Sequence, residues 1–203
     1  MLLTATPDQP LQGDVDIEQY IHAVPDGHTI KGLFVASPAL LLQERWSEVE
    51  ARLSSPPRLG RYLPFSDYPL KDYLRVLDLA ARRRHPRVPG REAHRLLSRN
   101  VFDTFSGSTL GKITISMLSG PGSALSKYQE MYNAMTRGSS AKVTTIEPNL
   151  VEVDFREYYS TVEAVFGVVE GIVMAFGARP ALTVKVAPRG HVTATVRWTG
   201  GSG

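Results

Sequence analysis

The stretch Tyr158-Tyr-Ser-Thr-Val-Glu-Ala-Val-Phe-Gly-Val-Val-Glu-Gly-Ile-Val-Met-Ala-Phe-Gly177 decides the fold. Past its first turn the only strongly polar side chains are Glu163 and Glu170, seven positions apart and therefore on one narrow stripe. The pattern predicts a helix over about 158–176, with Gly177 as its left-handed cap. Gly167, Gly171 and Ala175 recur at steps of four, a row of small residues that lets another backbone come close. A helix apolar around most of its girth has to be covered on both sides. A sheet is expected on one side, and the helical part of the chain or a second subunit on the other. The two glutamates are expected to form a solvent-facing stripe. An inward-facing Glu170 would have a raised pKa and could bind a ligand amine.

On both flanks of this helix the apolar period falls to two. Residues 143–147 and 150–155 read as a hairpin around Pro148-Asn149, with Val151, Val153 and Phe155 on one face. Leu182, Val184 and Val186 alternate with Thr183 and Lys185, and Val192, Ala194, Val196 and Trp198 follow Pro188-Arg189-Gly190. The order β-β-α-β-β predicts a four-stranded antiparallel sheet with helices on one side.

Upstream the chain is helical. A helix opened by Ser37-Pro38 carries Leu42, Trp46, Val49 and Leu53 inward and an outer Glu48–Arg52 pair, ending at Ser54-Ser-Pro-Pro57. The next follows Pro69 with Leu70, Tyr73, Leu74, Leu77 and Ala81 inward, and stops at His85-Pro86. A third opens at Pro89-Gly90 and carries Ala93, Leu97, Val101 and Phe105. Leu110, Ile113 and Met117 mark a short fourth, and Leu125, Tyr128, Tyr132 and Met135 a fifth that ends near Arg137-Gly138. The fold class is α+β: an N-terminal helical subdomain packed on the sheet. One domain is expected over 14–198, with a helical half at 14–137 and a sheet half at 138–198. Residues 1–13 and 199–203 read as loose termini.

Composition narrows the chemistry. With 203 residues, 42% hydrophobic and 21% charged, the chain can bury a real core and is not disordered. It contains no cysteine, which excludes disulfides, thiolate zinc sites, iron–sulfur clusters and cysteine nucleophiles. The first residues lack a signal-peptide pattern, and the longest apolar stretch, 162–176, falls short of the roughly 20 residues a bilayer requires. A cytoplasmic protein without a membrane span is expected. Net charge is +3, with seven arginines at 82, 83, 84, 87, 91, 95 and 99. This segment reads as a solvated helix face; alternatively Arg83, Arg84 and Arg87 form a patch for an acidic protein partner or neighbouring subunit. No aromatics interleave with them, so specific nucleic-acid recognition is not expected.

With Phe65-Ser-Asp-Tyr-Pro-Leu70 before a helix and Phe105-Ser-Gly-Ser-Thr-Leu-Gly111, the 158–177 helix and the closing Trp198 resemble a paralogous domain of unknown function found chiefly in myxobacteria. The resemblance covers roughly 32–198. More distantly, the β-β-α-β-β end is similar to the 4-vinyl reductase small-molecule-binding domain, a fold shared with haem nitric-oxide-binding domains and Golgi transport-particle subunits. The resemblance implies a helical half on a four-stranded sheet, sometimes enclosing a hydrophobic pocket; members sense small molecules, bind haem or assemble. Two departures stand out. The cysteines of the last hairpin are missing, with Ala187 and Val192 in that region, and Tyr159-Ser160 is followed by Thr161, Val162 and Glu163 rather than a tyrosine–serine–arginine haem-propionate motif. These argue against haem, and no cofactor is expected.

No catalytic or metal constellation emerges. Gly107-Ser-Thr-Leu-Gly-Lys112 lacks the first glycine of a phosphate loop, Ser106 standing there, and Ile113 replaces the Ser or Thr after the lysine. Histidines 22, 28, 85, 94 and 191 have no helical ligand spacing, and no nucleophile elbow exists. Asp67 and Asp72 are explained as acids at a helix start. The chain therefore reads as a non-enzymatic binding module, sensing a small apolar ligand in a cavity between helices and sheet. Phe34, Trp46, Tyr73, Phe105, Tyr128 and Phe166 are the candidate lining, and Gly167 and Gly171 the close helix packing. The alternative is a protein-interaction or assembly module that dimerises through helix or sheet surfaces.

Overall fold

A computed structural model describes residues 1–57, 61–107 and 116–201, without the side chains of 101–107. Its centre is the helix read from the sequence, here α7 (Val162–Met174). One side of α7 packs on an antiparallel sheet whose strand order is β1-β7-β8-β6-β5: β1 (Leu2–Ala5), β5 (Ser140–Glu147), β6 (Leu150–Arg156), β7 (Ala178–Ala187) and β8 (His191–Gly200). Period-two alternation sends Val151, Val153 and Phe155 of β6 inward, opposite Val196, Ala194 and Val192 of β8. Leu182 and Val184 of β7 continue that face, and Phe166, Val169 and Ile172 of α7 close it as a single core.

The other side of α7 packs on α5 (Gly90–Gly107). A Cβ on Gly167 would lie 2.1 Å from the carbonyl oxygen of Arg95 and 2.8 Å from the amide of Arg99, so only glycine permits this approach. Gly171 is buried one turn further along.

The remaining helices are α1 (Ile17–Ala23), α2 (Gly32–Leu40), α3 (Trp46–Glu50), α4 (Leu70–Arg84) and α6 (Pro121–Met135). A second sheet, ordered β3-β2-β4, joins β2 (Thr29–Lys31), β3 (Asp67–Pro69) and β4 (Thr136–Arg137). α6 packs along the edge of β5, where Asn133 bonds the amide and carbonyl of Ala141 and Gln129 accepts from the Val143 amide. That edge is thereby partly closed to further strands.

Four expectations change. The main sheet has five strands, because residues 2–5, read as part of a loose terminus, pair with β7 from Leu2↔Lys185 to Ala5↔Leu182. Four apolar-to-small residues carry too short a pattern to announce a strand; the partner edge supplies it. The helix expected to open at Ser37-Pro38 instead starts at Gly32 with Pro38 inside, and breaks into a 3-10 turn (Gln43–Arg45) before α3. Glu48 accordingly pairs with Arg45, not Arg52. α1, β2, β3 and β4 had no sequence counterpart, each being seven residues or fewer. Glu163 and Glu170 are buried, the reverse of the expected solvent stripe. They face a complementary row on α5. Of the expected fourth helix, Leu110 and Ile113, with Lys112 between them, lie outside the described residues, and Met117, expected inward, is exposed.

Candidate functional site

Where the helical half meets the sheet half, four tyrosines from three segments gather. α4 supplies Tyr73, α6 supplies Tyr128 and Tyr132 four positions apart on one face, and the link from β6 to α7 supplies Tyr158. The Tyr132 and Tyr158 rings stack with centroids 6.5 Å apart, and Phe155 lies edge-on to Tyr132 at 5.4 Å and tilted to Tyr158 at 5.0 Å. Tyr128 sits 5.9 Å from Tyr132. The four phenols feel one another: Tyr132 acts electrostatically on Tyr73, Tyr128 and Tyr158.

Two of the phenols are anchored. Tyr158 donates to the carbonyl of Thr161 at 3.1 Å, and Tyr132 shares a 3.0 Å bond with Ser139 Oγ. Tyr73 and Tyr128 have no hydrogen-bond partner among the described residues, yet burial drives both phenols above their ordinary value. Both side chains also keep accessible surface. Burial raises Tyr158 well above its usual value too, and Tyr132 to about 12.

A buried polar chain leads away from Tyr158. Thr161 caps α7, its hydroxyl lies 3.5 Å from His94 Nδ1 on α5, and His94 Nε2 lies 2.9 Å from Asp78 on α4. Asp78 also accepts from Arg82 at 3.0 Å. This chain ties the three helices together beside the tyrosines.

The predicted lining residues separate into different places. Tyr73 and Tyr128 belong to the junction. Phe34 and Trp46 pack against a second core under α4, where Trp46, Tyr62 and Tyr68 meet edge to face at 5.9 and 4.7 Å. Phe166 is fully buried on the sheet-side core, with the Arg95 guanidinium 5.9 Å from its ring centroid. The side chain of Phe105 lies outside the described residues. Sequence reading missed Tyr132 and Tyr158 as lining, although Tyr132 is in register with Tyr128 one turn away.

The arginine segment divides in two. Arg84 and Arg87 are exposed, while Arg83, also exposed, bonds the Leu41 carbonyl at 3.1 Å and pairs with Glu44. Arg91, Arg95 and Arg99 turn inward at steps of four: Arg91 meets Glu163 at 2.6 Å, and Arg95 and Arg99 both hold Glu170. Arg95 and Glu170 are each at 0% exposure. Arg95 also donates to the Thr6 and Gln9 carbonyls at 2.7 Å, and Glu92 accepts from the Leu11 amide at 2.7 Å. Glu170 is thus fully engaged and offers nothing to a ligand amine. Asp72 accepts from Ser54 and Ser55, and Asp67 pairs with Lys31, so the two acids do not meet.

An α+β domain with a helical half on an antiparallel sheet and an aromatic junction between them has the fold of the H-NOX proteins. The Fe(II) unliganded H-NOX protein from K. algicida superposes with a TM-score of 0.60 at 12% identity, over 84% of this chain and 97% of that one. The H-NOX protein from S. oneidensis in the Fe(II)NO state gives 0.62 at 11% identity, over 84% and 100%. A mutant of the T. Tengcongensis H-NOX gives 0.54 at 14%, over 85% and 99%. The chain itself belongs to the DUF2378 family, described as a protein of unknown function, whose model matches residues 23–199. No curated protein matches it.

Haem belongs to the H-NOX family, and no histidine or cysteine here stands at the tyrosine junction with a free ligand atom to hold its iron. Haem iron is held by an axial donor, most often histidine or cysteine. There is no cysteine, and all five histidines are described. Both nitrogens of His94 are engaged, His22 bonds the Glu18 carbonyl, and His191 bonds Asp154 on the outer face of the sheet. His28 Nε2 and His85 Nε2 are buried without a hydrogen-bond partner, but the His28 ring packs against Gly138, with Nε2 2.7 Å from where a Cβ would stand. His85 follows the far end of α4, about 18 Å of helix from Tyr73.

Proposed function

We propose that this chain is a non-enzymatic, small-ligand-binding module of sensory type, with its ligand held between the helical half and the sheet. One observation carries the reading: four tyrosines, Tyr73, Tyr128, Tyr132 and Tyr158, gather where the helical half meets the sheet half in a chain that has the fold of the H-NOX proteins. The H-NOX likeness supports this as a fold in which ligand sensing occurs; it supplies no ligand. Among the described residues no nucleophile–base pair accompanies the tyrosines, which favours binding over turnover.

The test is a saturation-transfer NMR screen of neutral fragments against the wild-type chain and Tyr73→Trp, which adds bulk at the junction. Fragments seen with the wild type and lost with Tyr73→Trp support the reading. A screen in which no fragment discriminates the two folded proteins overturns it.

Arg84 and Arg87 favour a second activity, contact with an acidic partner. They are exposed at the carbonyl end of α4, where positive charge is favoured.

A further inference from the structure

We infer that the exposed face of α2 is a self-association surface, on which a second copy of this chain packs its own α2 antiparallel across a two-fold axis. The surface lies apart from the tyrosine junction, and the inference stands whether or not a ligand binds there.

The first observation is an apolar patch with a fixed shape. α2 has no charged residue from Gly32 to Leu40. Val35, Pro38 and Ala39 are buried and Phe34 packs on the second core, which leaves Leu33, Ala36, Ser37 and Leu40 as the outward stripe. The loop before β3 widens it. The amides of Leu33 and Gly32 donate to the carbonyls of Pro64 and Ser66 at 3.0 and 2.9 Å, and a Cβ on Gly32 would lie 2.2 Å from the Leu63 carbonyl oxygen. Leu63 and Phe65 are thereby held beside Leu33. Leu33, Leu40, Leu63 and Phe65 are each between 48% and 76% exposed. At roughly 200 Å² for a side chain of this size they offer about 500 Å² of apolar surface, an extent that is often functional on a monomer. Two such patches face to face bury about 1,000 Å² before any polar rim is counted, where specific interfaces begin.

The second observation is self-complementarity. Across a two-fold axis, a contact made by one copy is returned by the other. The outward stripe of α2 meets that condition. Its midpoint falls between Ala36 and Ser37, small residues that let helix axes approach, and a leucine stands three positions beyond each. Antiparallel packing about that midpoint sets Leu33 of each copy against Leu40 of the other. Charge agrees with it. The exposed Arg61 lies at the Leu33 end, and Glu44, 82% exposed beside Arg83, lies past the Leu40 end. The antiparallel arrangement carries Arg61 of one copy toward Glu44 of the other, whereas a parallel one opposes Arg61 to itself.

Sedimentation equilibrium of the full chain tests this, with circular dichroism as the check on fold. The wild type is expected to dimerise with a micromolar Kd, as suits an interface of this size. Leu33→Lys and Leu40→Glu should each weaken the dimer by about tenfold or more, because each sets two charges against apolar side chains. Both sites are exposed, so the unfolding midpoint should stay nearly unchanged. Mixing the two variants should restore a mixed dimer. There the introduced lysine meets the introduced glutamate, and the second contact is again leucine on leucine. Should either leucine variant lose its fold, Phe65→Ser, outside any helix, reads the same surface and should weaken the dimer too. A wild type that stays monomeric throughout the micromolar range overturns the inference; if that monomer pellets with phosphatidylserine vesicles, the patch serves a membrane instead. A dimer left intact by the variants overturns the α2 surface, and a mixture no tighter than its components overturns the antiparallel pairing.

Discussion

Arg95 has no exposure and five neighbours that accept from it or from its row: Glu170, Glu92, Thr6, Gln9 and, across the helix, the ring of Phe166. An ion pair in that position is expensive to break and cheap to replace. Glu170→Ala is therefore expected to destabilise the protein by about 3–5 kcal/mol, leaving a buried guanidinium unpaired. Arg95→Met combined with Glu170→Leu should recover most of that loss in urea unfolding. A cost for Glu170→Ala below about 1 kcal/mol would mean water reaches the pair. The tyrosines give a second prediction at this scale. Burial raises their phenols, so the folded state holds protons that the unfolded chain releases from pH 10 upward. Their contribution is fully present below the ordinary value of 10.0 and is lost as pH climbs toward about 12, the value for Tyr132. An alkaline titration should show tyrosinate absorbance from these residues rising together with loss of near-ultraviolet circular dichroism. Ionisation of all eight tyrosines well before unfolding would contradict the buried cluster.

At the scale of elements, α7 was legible in its existence and its apolar girth, and misread in its polar stripe. Two carboxylates seven apart fix a face of a helix; they do not say whether water or another helix lies opposite. The missing signal was in α5, where arginines at 91, 95 and 99 repeat at steps of four and so form a matching row. The two helices meet through Gly167. Alanine is the better helix former by about 1 kcal/mol, yet its Cβ would stand 2.1 Å from the Arg95 carbonyl. Overpacking wins, and Gly167→Ala is expected to lower stability by on the order of 1–3 kcal/mol, measured by thermal unfolding. A stabilised Gly167→Ala variant would show that α5 can move away. The end of α4 behaves differently. Arg84→Glu with Arg87→Glu should weaken retention on a polyanion column and leave the unfolding midpoint nearly unchanged, since both side chains are exposed. Adding Arg83→Glu should also cost stability, through its bonds to Leu41 and Glu44.

For the molecule as a whole, period and turn chemistry carried the reading of β5 to β8 and of α4 to α7. The short elements escaped it because two to seven residues hold too little periodicity, and because a strand such as β1 exists only through the edge it joins. The candidate site was half legible: Tyr73 and Tyr128 stood among the expected lining, but a list of aromatics carries no information about which of two cores each one enters. The placement of the five histidines yields a prediction for the intact protein. Purified without haem it should be folded and cooperative, and added haem should give no stoichiometric Soret band; a bound, spectrally defined haem would refute this. A further consequence lies in how the chain closes on itself. Thr4 meets Thr183 across 179 positions, and Met1 donates to the Val186 carbonyl. On a ribosome adding 5–20 residues each second, the opening residues wait roughly 10 to 35 s for the strand that receives them. Residues 2–5 are made well before the strand that receives them, and until they pair the outer edge of β7 lacks β1 and the Arg95 guanidinium lacks the carbonyls of Thr6 and Gln9.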